Sequence, residues 1–204
     1  MAKLYLTMSE ELPAPVRDAD LAIWWPSRTV SAEEVRSWAG WSGTYLLARG
    51  DPDVWHAYRP NLSEWPSVAL VVGQGRVWRF EKRYLAVIDP DTLMIPEVSR
   101  ALALAGVAIL ISYGHDGPSP FLHPLWRAAQ ANQIFALRIG PEPRWYLPCE
   151  VDPAEEGVQP CRPEPGGWTV DFDFAQLGDA RRRFPIQQGL RPSLYKSQAW
   201  WPHG

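Results

Sequence analysis

Tyr84-Leu85-Ala86-Val87-Ile88-Asp89-Pro90-Asp91-Thr92-Leu93-Met94-Ile95-Pro96-Glu97-Val98-Ser99-Arg100-Ala101-Leu102-Ala103-Leu104-Ala105-Gly106-Val107-Ala108-Ile109-Leu110-Ile111 is the stretch on which the fold turns. Its two ends are unbroken apolar runs of strand length without alternation, so both faces of each strand must be covered. Between them Pro96 and Glu97 open a helix whose Val98, Ala101, Leu102 and Ala105 recur at helical spacing, and Gly106 closes it. Strand, helix and strand in that order predict a right-handed crossover joining parallel strands. Residues 122–132 (helix) and 134–138 (strand) repeat the unit. The fold class is therefore α/β.

Toward the N-terminus, residues 4–6 and 19–25 read as strands, the second stopped by Pro26. Ser31-Ala32-Glu33-Glu34 is a capping box that opens a helix ending at Gly40. Residues 44–48 form a third strand, and residues 68–72 and 76–80 flank the glycine loop Gly73-Gln74-Gly75 of a hairpin. Asp89-Pro90-Asp91 reads as a break. Past Gly140 the chain is rich in Pro, Glu and Gly up to Gly167, with a strand around Tyr146. Residues 168–174 then alternate apolar and polar, residues 175–183 make a short basic helix, and the tail is irregular. No repeat or linker interrupts this order, so a single domain spanning residues 1–204 is expected.

Composition narrows the function classes. A chain of 204 residues with 46% apolar and 21% charged residues can bury a core unaided and is no disordered segment. A net charge of -3 removes the basic surface that phosphate backbones require, so no nucleic-acid partner is expected. The longest apolar run, residues 101–112, is too short to span a bilayer, and the N-terminal residues lack the apolar core of a secretory signal. A cytoplasmic protein without a membrane segment is the expectation. Cys149 and Cys161 lie in no CxxC and beside no histidine at ligand spacing, which argues against zinc; two thiols are the simpler reading and a disulfide the other. No metal or other cofactor is called for.

The stretch from Pro96 to Val107 resembles the carbon–nitrogen hydrolase, or nitrilase, superfamily, which places P-E-x-x-R-x-L-A-L-x-G-A after its nucleophile strand. Four more segments agree in order: Ala19 to Ile23 with the family's A-D-L strand, Ala69 to Lys82 with the strand, turn and lysine that follow it, Trp126 to Gln133 with the R-A-x-x-N-Q helix, and Val170 to Tyr195 with the closing segment. The resemblance implies a four-layer α-β-β-α sandwich with mixed sheets, commonly paired into a dimer. It also implies hydrolysis at amide or nitrile carbons by a Glu base, a Lys that stabilises the tetrahedral intermediate and a Cys nucleophile. An amide carbon needs a soft nucleophile, a base to strip its proton and a cation for the oxyanion.

Carried over position by position, the triad falls on Ser27, Lys82 and Pro90. Serine is no carboxylate base and proline has no nucleophilic atom. Lys82 is retained, but only seven residues separate it from Pro90. The arginine of R-A-x-x-N-Q is Ala128 here, and the family's first helix is shortened to residues 9–18. No catalytic residue is assigned. A candidate pocket takes in Ser27, Lys82, Asp89, Asp91 and His115. Asp89 and Asp91 end one parallel strand while His115 and Asp116 end its partner, so an acidic cluster suited to a divalent cation or acid–base work is one reading. The other is turn chemistry, which Asp-Pro-Asp-Thr and His-Asp-Gly-Pro satisfy alone. Glu97 suits a helix first turn, and His56 and His123 read as loop or interface residues.

Twelve tryptophans remain to be placed. Trp24 and Trp25 point to opposite faces of a strand and belong to the core of a sandwich. Trp38, Trp41, Trp55, Trp65, Trp200 and Trp201 are harder to bury and would mark an interface. Arg181, Arg182 and Arg183 read as a solvated face. The sequence thus describes a nitrilase-like scaffold that acts by binding or assembly, as a homodimer or a heteromer with a related protein, with a small-molecule ligand as a further partner. The rival is an active carbon–nitrogen hydrolase working from a shifted site or from Asp89, Asp91 and His115.

Overall fold

The computed structural model describes residues 1–14, 16, 18–50, 54–70, 75–114, 123–148 and 157–185, without the Trp41 side chain. In chain order the elements are β1 Ala2–Thr7, β2 Leu21–Trp24, α1 Ala32–Ser42, β3 Tyr45–Arg49, β4 Trp55–Tyr58, β5 Ser67–Ala69, β6 Gly75–Phe80 and β7 Arg83–Ile88. There follow α2 Pro90–Leu93, α3 Pro96–Leu104, β8 Val107–Tyr113, α4 Pro124–Asn132, β9 Phe135–Ile139, β10 Arg144–Tyr146, β11 Val158–Pro160, β12 Arg162–Glu164, β13 Gly167–Phe172 and α5 Ala175–Arg183. They gather into two compact units, one of residues 1–66 and 161–173, the other of residues 67–160 and 174–204. The molecule is α/β with two mixed sheets.

The first unit holds a six-stranded sheet in the order β12-β13-β1-β2-β3-β4, with β1, β2 and β3 parallel and the outer strands antiparallel. Leu21, Ala22, Ile23 and Trp24 are all buried, as a strand in the middle of a covered sheet requires. Trp25 N–H still donates to Thr7 O at 2.8 Å, and Pro26, with no N–H, ends the ladder. Ser31 caps α1 as the sequence predicts: its hydroxyl accepts from Glu34 N–H while the Glu34 carboxylate accepts from Ser31 N–H at 2.8 Å. The helix runs past Gly40, however, and stops at Gly43, whose φ of 63° is the left-handed turn that glycine adopts without strain. The described part of residues 9–18 holds no helix.

Two tryptophans expected outside the core lie within it. Trp38 is fully buried, its ring edge-on to Trp24 at 5.7 Å and its Nε1–H donating to Ala14 O at 3.1 Å. Trp65 is also buried, against Tyr45 at 4.9 Å. The reason is local: α1 lays its apolar stripe on the sheet, and an indole enters a core once its one N–H finds a carbonyl. Trp55 is half-buried in β4, 5.1 Å from Trp25, and both Trp24 and Trp25 are buried. Trp200 and Trp201 lie outside the described residues.

The second unit holds a seven-stranded sheet in the order β11-β10-β9-β8-β7-β6-β5. Here β7, β8 and β9 are parallel, as the two crossovers predict. One face of these strands, with Ala86, Ile88, Leu110 and Ala136, packs with Val98, Ala101 and Leu102 of α3 and Leu125, Ala128 and Ala129 of α4. Gly106, at φ 96°, turns α3 into β8. β5 and β6 pair antiparallel, while residues 71–74 of their expected loop lie outside the described set.

The motif residues that carry the family resemblance do structural work in this unit. Arg100 donates to Asn132 Oδ1 at 2.6 Å, Asn132 Nδ2 donates to Ser99 Oγ at 3.1 Å, and Ser99 Oγ donates to Pro96 O at 3.0 Å, locking α3 to α4. Gln133, next in sequence, stands at φ 55° and donates to Ala180 O at 2.9 Å and Phe184 O at 2.5 Å, clasping the end of α5. Both bonds are made from a buried amide, where a lost partner is expensive.

Candidate functional site

In the first unit Ser27, the position the resemblance assigns to a glutamate, lies in an exposed turn. Ser27 N–H donates to Glu10 Oε1 at 2.9 Å, and that donor is the main reason the Glu10 carboxyl sits below its ordinary value. A carboxylate held low by donors is a weaker proton acceptor. Arg28 fixes the same turn, donating to Glu10 O and, at 2.7 Å, to Glu34 Oε1 while its guanidinium lies 5.5 Å from the centre of the Trp24 ring. The polar groups around Ser27 are thus taken up in local structure.

In the second unit the end of β7 is a helix start. Asp89 is the N-cap of α2, its carboxylate accepting from Thr92 N–H at 2.8 Å and from the Thr92 hydroxyl. Pro90 occupies the first turn, where its fixed φ is favourable and its missing N–H costs nothing. Asp91 supplies the acid that a first turn prefers. The sequence expected only a break here. That break is a four-residue helix with Asp89 as its cap, Pro90 in its first turn and Asp91 as its first-turn acid.

Lys82 is exposed in the turn before β7, whereas Asp89 follows its last residue. A six-residue strand at about 3.3 Å per residue holds the two backbones roughly 20 Å apart. Lys82 therefore does not stand beside Asp89 and Asp91. His115 and Asp116 lie outside the described residues, and Ser27 belongs to the other unit. Among the described residues no three His, Cys, Asp or Glu side chains are grouped so as to hold a metal ion.

The carboxyl edge of β8 and β9 carries polar residues the sequence reading passed over. Ser112 and Arg138 are register neighbours, both buried, and Arg138 Nη2 donates to Glu142 O at 2.7 Å. The one signal for them was a polar residue within an apolar run. His123, read as a loop histidine, caps α4: its Nδ1 accepts from Leu125 N–H at 3.2 Å and its ring stacks on Tyr146. Cys161, the residue before β12, is buried in the first unit, and Cys149 lies outside the described residues.

No family model matches the chain, and no curated protein is similar to it in sequence. Solved structures are similar over nearly its whole length. Nit3 of Saccharomyces cerevisiae, a member of branch 10 of the nitrilase superfamily, superposes with a TM-score of 0.63 at 11% identity, over 93% of this chain and 97% of that one. XC1258 of Xanthomonas campestris, a CN-hydrolase superfamily protein, gives 0.62 at 12% identity over the same shares, 93% and 97%. The NitN amidase of Neterenkonia sp. AN1 gives 0.55 at 17% identity, over 97% and 99%. The fold is that of the nitrilase, or carbon–nitrogen hydrolase, superfamily. Among the described residues no helix is long and apolar enough to cross a membrane.

Proposed function

We propose that this protein is a nitrilase-fold binding or assembly protein without thiol-based hydrolysis, working as a homodimer or with a related chain. The observation that carries the reading is the end of β7, where Asp89 caps and Pro90 begins α2. In a mutant of an amidase of the same fold from Nesterenkonia sp. AN1, acrylamide has added to the active-site cysteine. The strand end here offers an acceptor already bonded to Thr92 and a ring with no nucleophilic atom. The turn at Ser27 supports the same reading, since its nearby carboxylate is bonded to the Ser27 N–H.

The test is turnover of a panel of amides, nitriles and ureido compounds by the purified protein and by the Cys149→Ala/Cys161→Ala and Asp89→Ala/Asp91→Ala pairs. No release of ammonia above buffer is expected from any of the three. Turnover lost in the cysteine pair would establish a thiol site, and turnover lost in the aspartate pair an acid–base site around His115. Either result would replace the proposal.

A further inference from the structure

At the end of β7 remote from Asp89, two guanidinium groups share one small region of the second unit. Arg83 opens β7, and its guanidinium carbon lies 4.8 Å from the centre of the Phe174 ring. Phe174 is the residue on which α5 begins, and it packs in turn on Phe80 and Phe135. Arg181 lies two turns further along α5 on the face that carries Leu177, near enough to Arg83 for the two charges to act on each other. The sequence expected Arg181 on a solvated face; it is half-buried, and its Nε is enclosed with no acceptor.

Like charges are not normally gathered this way without a counter-charge. Burial, and then the neighbouring Arg83 guanidinium, pull the Arg181 pKa below its ordinary value. Among the described residues no carboxylate or carbonyl accepts a hydrogen bond from either side chain. Asp179, the nearest acid on the helix, is paired with Arg182. A buried donor left unmet and two cations left unbalanced each cost free energy, and an oxyanion removes both costs at once. The planar forks of two arginines suit a tetrahedral or planar oxyanion, and two positive charges call for two negative ones.

We propose that Arg83 and Arg181, set beside the ring of Phe174, form a binding site for a dianionic phosphoryl group. The site is independent of the hydrolysis question: it lies about a strand's length from Pro90 and stands whichever way the turnover assay falls. Its source is either inorganic phosphate or the phosphoryl end of a monoester, and the two are separated by experiment.

Thermal unfolding and isothermal titration of the full chain would be run in inorganic phosphate, in phenyl phosphate, and in chloride and acetate at matched ionic strength. Phosphate at about ten times its Kd is expected to raise Tm by about 3–6 °C over chloride, with acetate giving no such rise. Arg181→Met and Arg83→Gln should each weaken phosphate binding by at least about tenfold. Arg181→Met should match or exceed the wild-type Tm in chloride, since it removes an unmet buried donor. Tighter binding of phenyl phosphate assigns the site to a monoester; tighter binding of inorganic phosphate assigns it to the free ion. Equal Tm in phosphate and chloride, or a phosphate response that survives in Arg83→Gln, would overturn the proposal. Arg83→Gln removes only a partly exposed ring contact, so it keeps the test open should Arg181→Met fail to fold.

Discussion

Single side chains in this molecule are spent on ends and turns. Glu34 is the clearest case: Arg28 first, and then the Ser31 N–H, hold its carboxyl at about 2 against an ordinary 4.5. The stability it contributes is complete above pH 4.5 and is lost as the pH falls toward 2, because a lowered folded pKa favours the charged form. Since its partners are partly exposed and screened, Glu34→Gln should cost only about 0.5–1 kcal/mol at pH 7. Urea unfolding at pH 7 and near pH 2 checks this: the difference between wild type and variant should shrink at the lower pH. The same scale explains why Trp38 and Trp65 were misjudged from sequence. Whether an indole can be buried depends on a carbonyl or ring supplied from elsewhere, here Ala14 O and Tyr45, and no local pattern announces either.

At the scale of elements, the parallel runs β7, β8 and β9 with α3 and α4 are legible because continuous apolar strands and a 3.6-residue stripe need no distant information. β4, β11 and β12 are not, since their residues are neither apolar nor alternating and become strands by pairing with β3, β10 and β13. α2 was hidden for a different reason: Asp-Pro-Asp serves equally as a turn and as a capped first turn, and the residues after it decide. The R-A-x-x-N-Q likeness is explained as clasping. Gln133→Ala should destabilise the protein by about 1–3 kcal/mol through its two lost bonds to the end of α5. Gln133→Gly should lose less, by about 1 kcal/mol, because φ 55° suits glycine. Denaturant midpoints of the two variants separate the bond from the backbone; an Ala midpoint equal to wild type would refute the clasp, and Gly falling below Ala would refute the backbone part.

Taken whole, the chain has the architecture of the nitrilase superfamily, with an exposed turn at Ser27 and a helix cap at Asp89. The order of elements was readable because five motif segments follow one another along the sequence, and the structural matches span nearly the whole chain. The candidate pocket joined a family position, Lys82, to a strand-end position, Asp89, and β7 stands between the two. If Pro90 stands where the superfamily holds its thiol, as we propose, no covalent intermediate forms on this chain. The direct measurement is the intact mass of the protein after incubation with reactive amides and nitriles, quenched during the time course. An unchanged mass throughout is the predicted result. A mass gain equal to one acyl or imidate group, mapped by peptide analysis to any side chain, would contradict it.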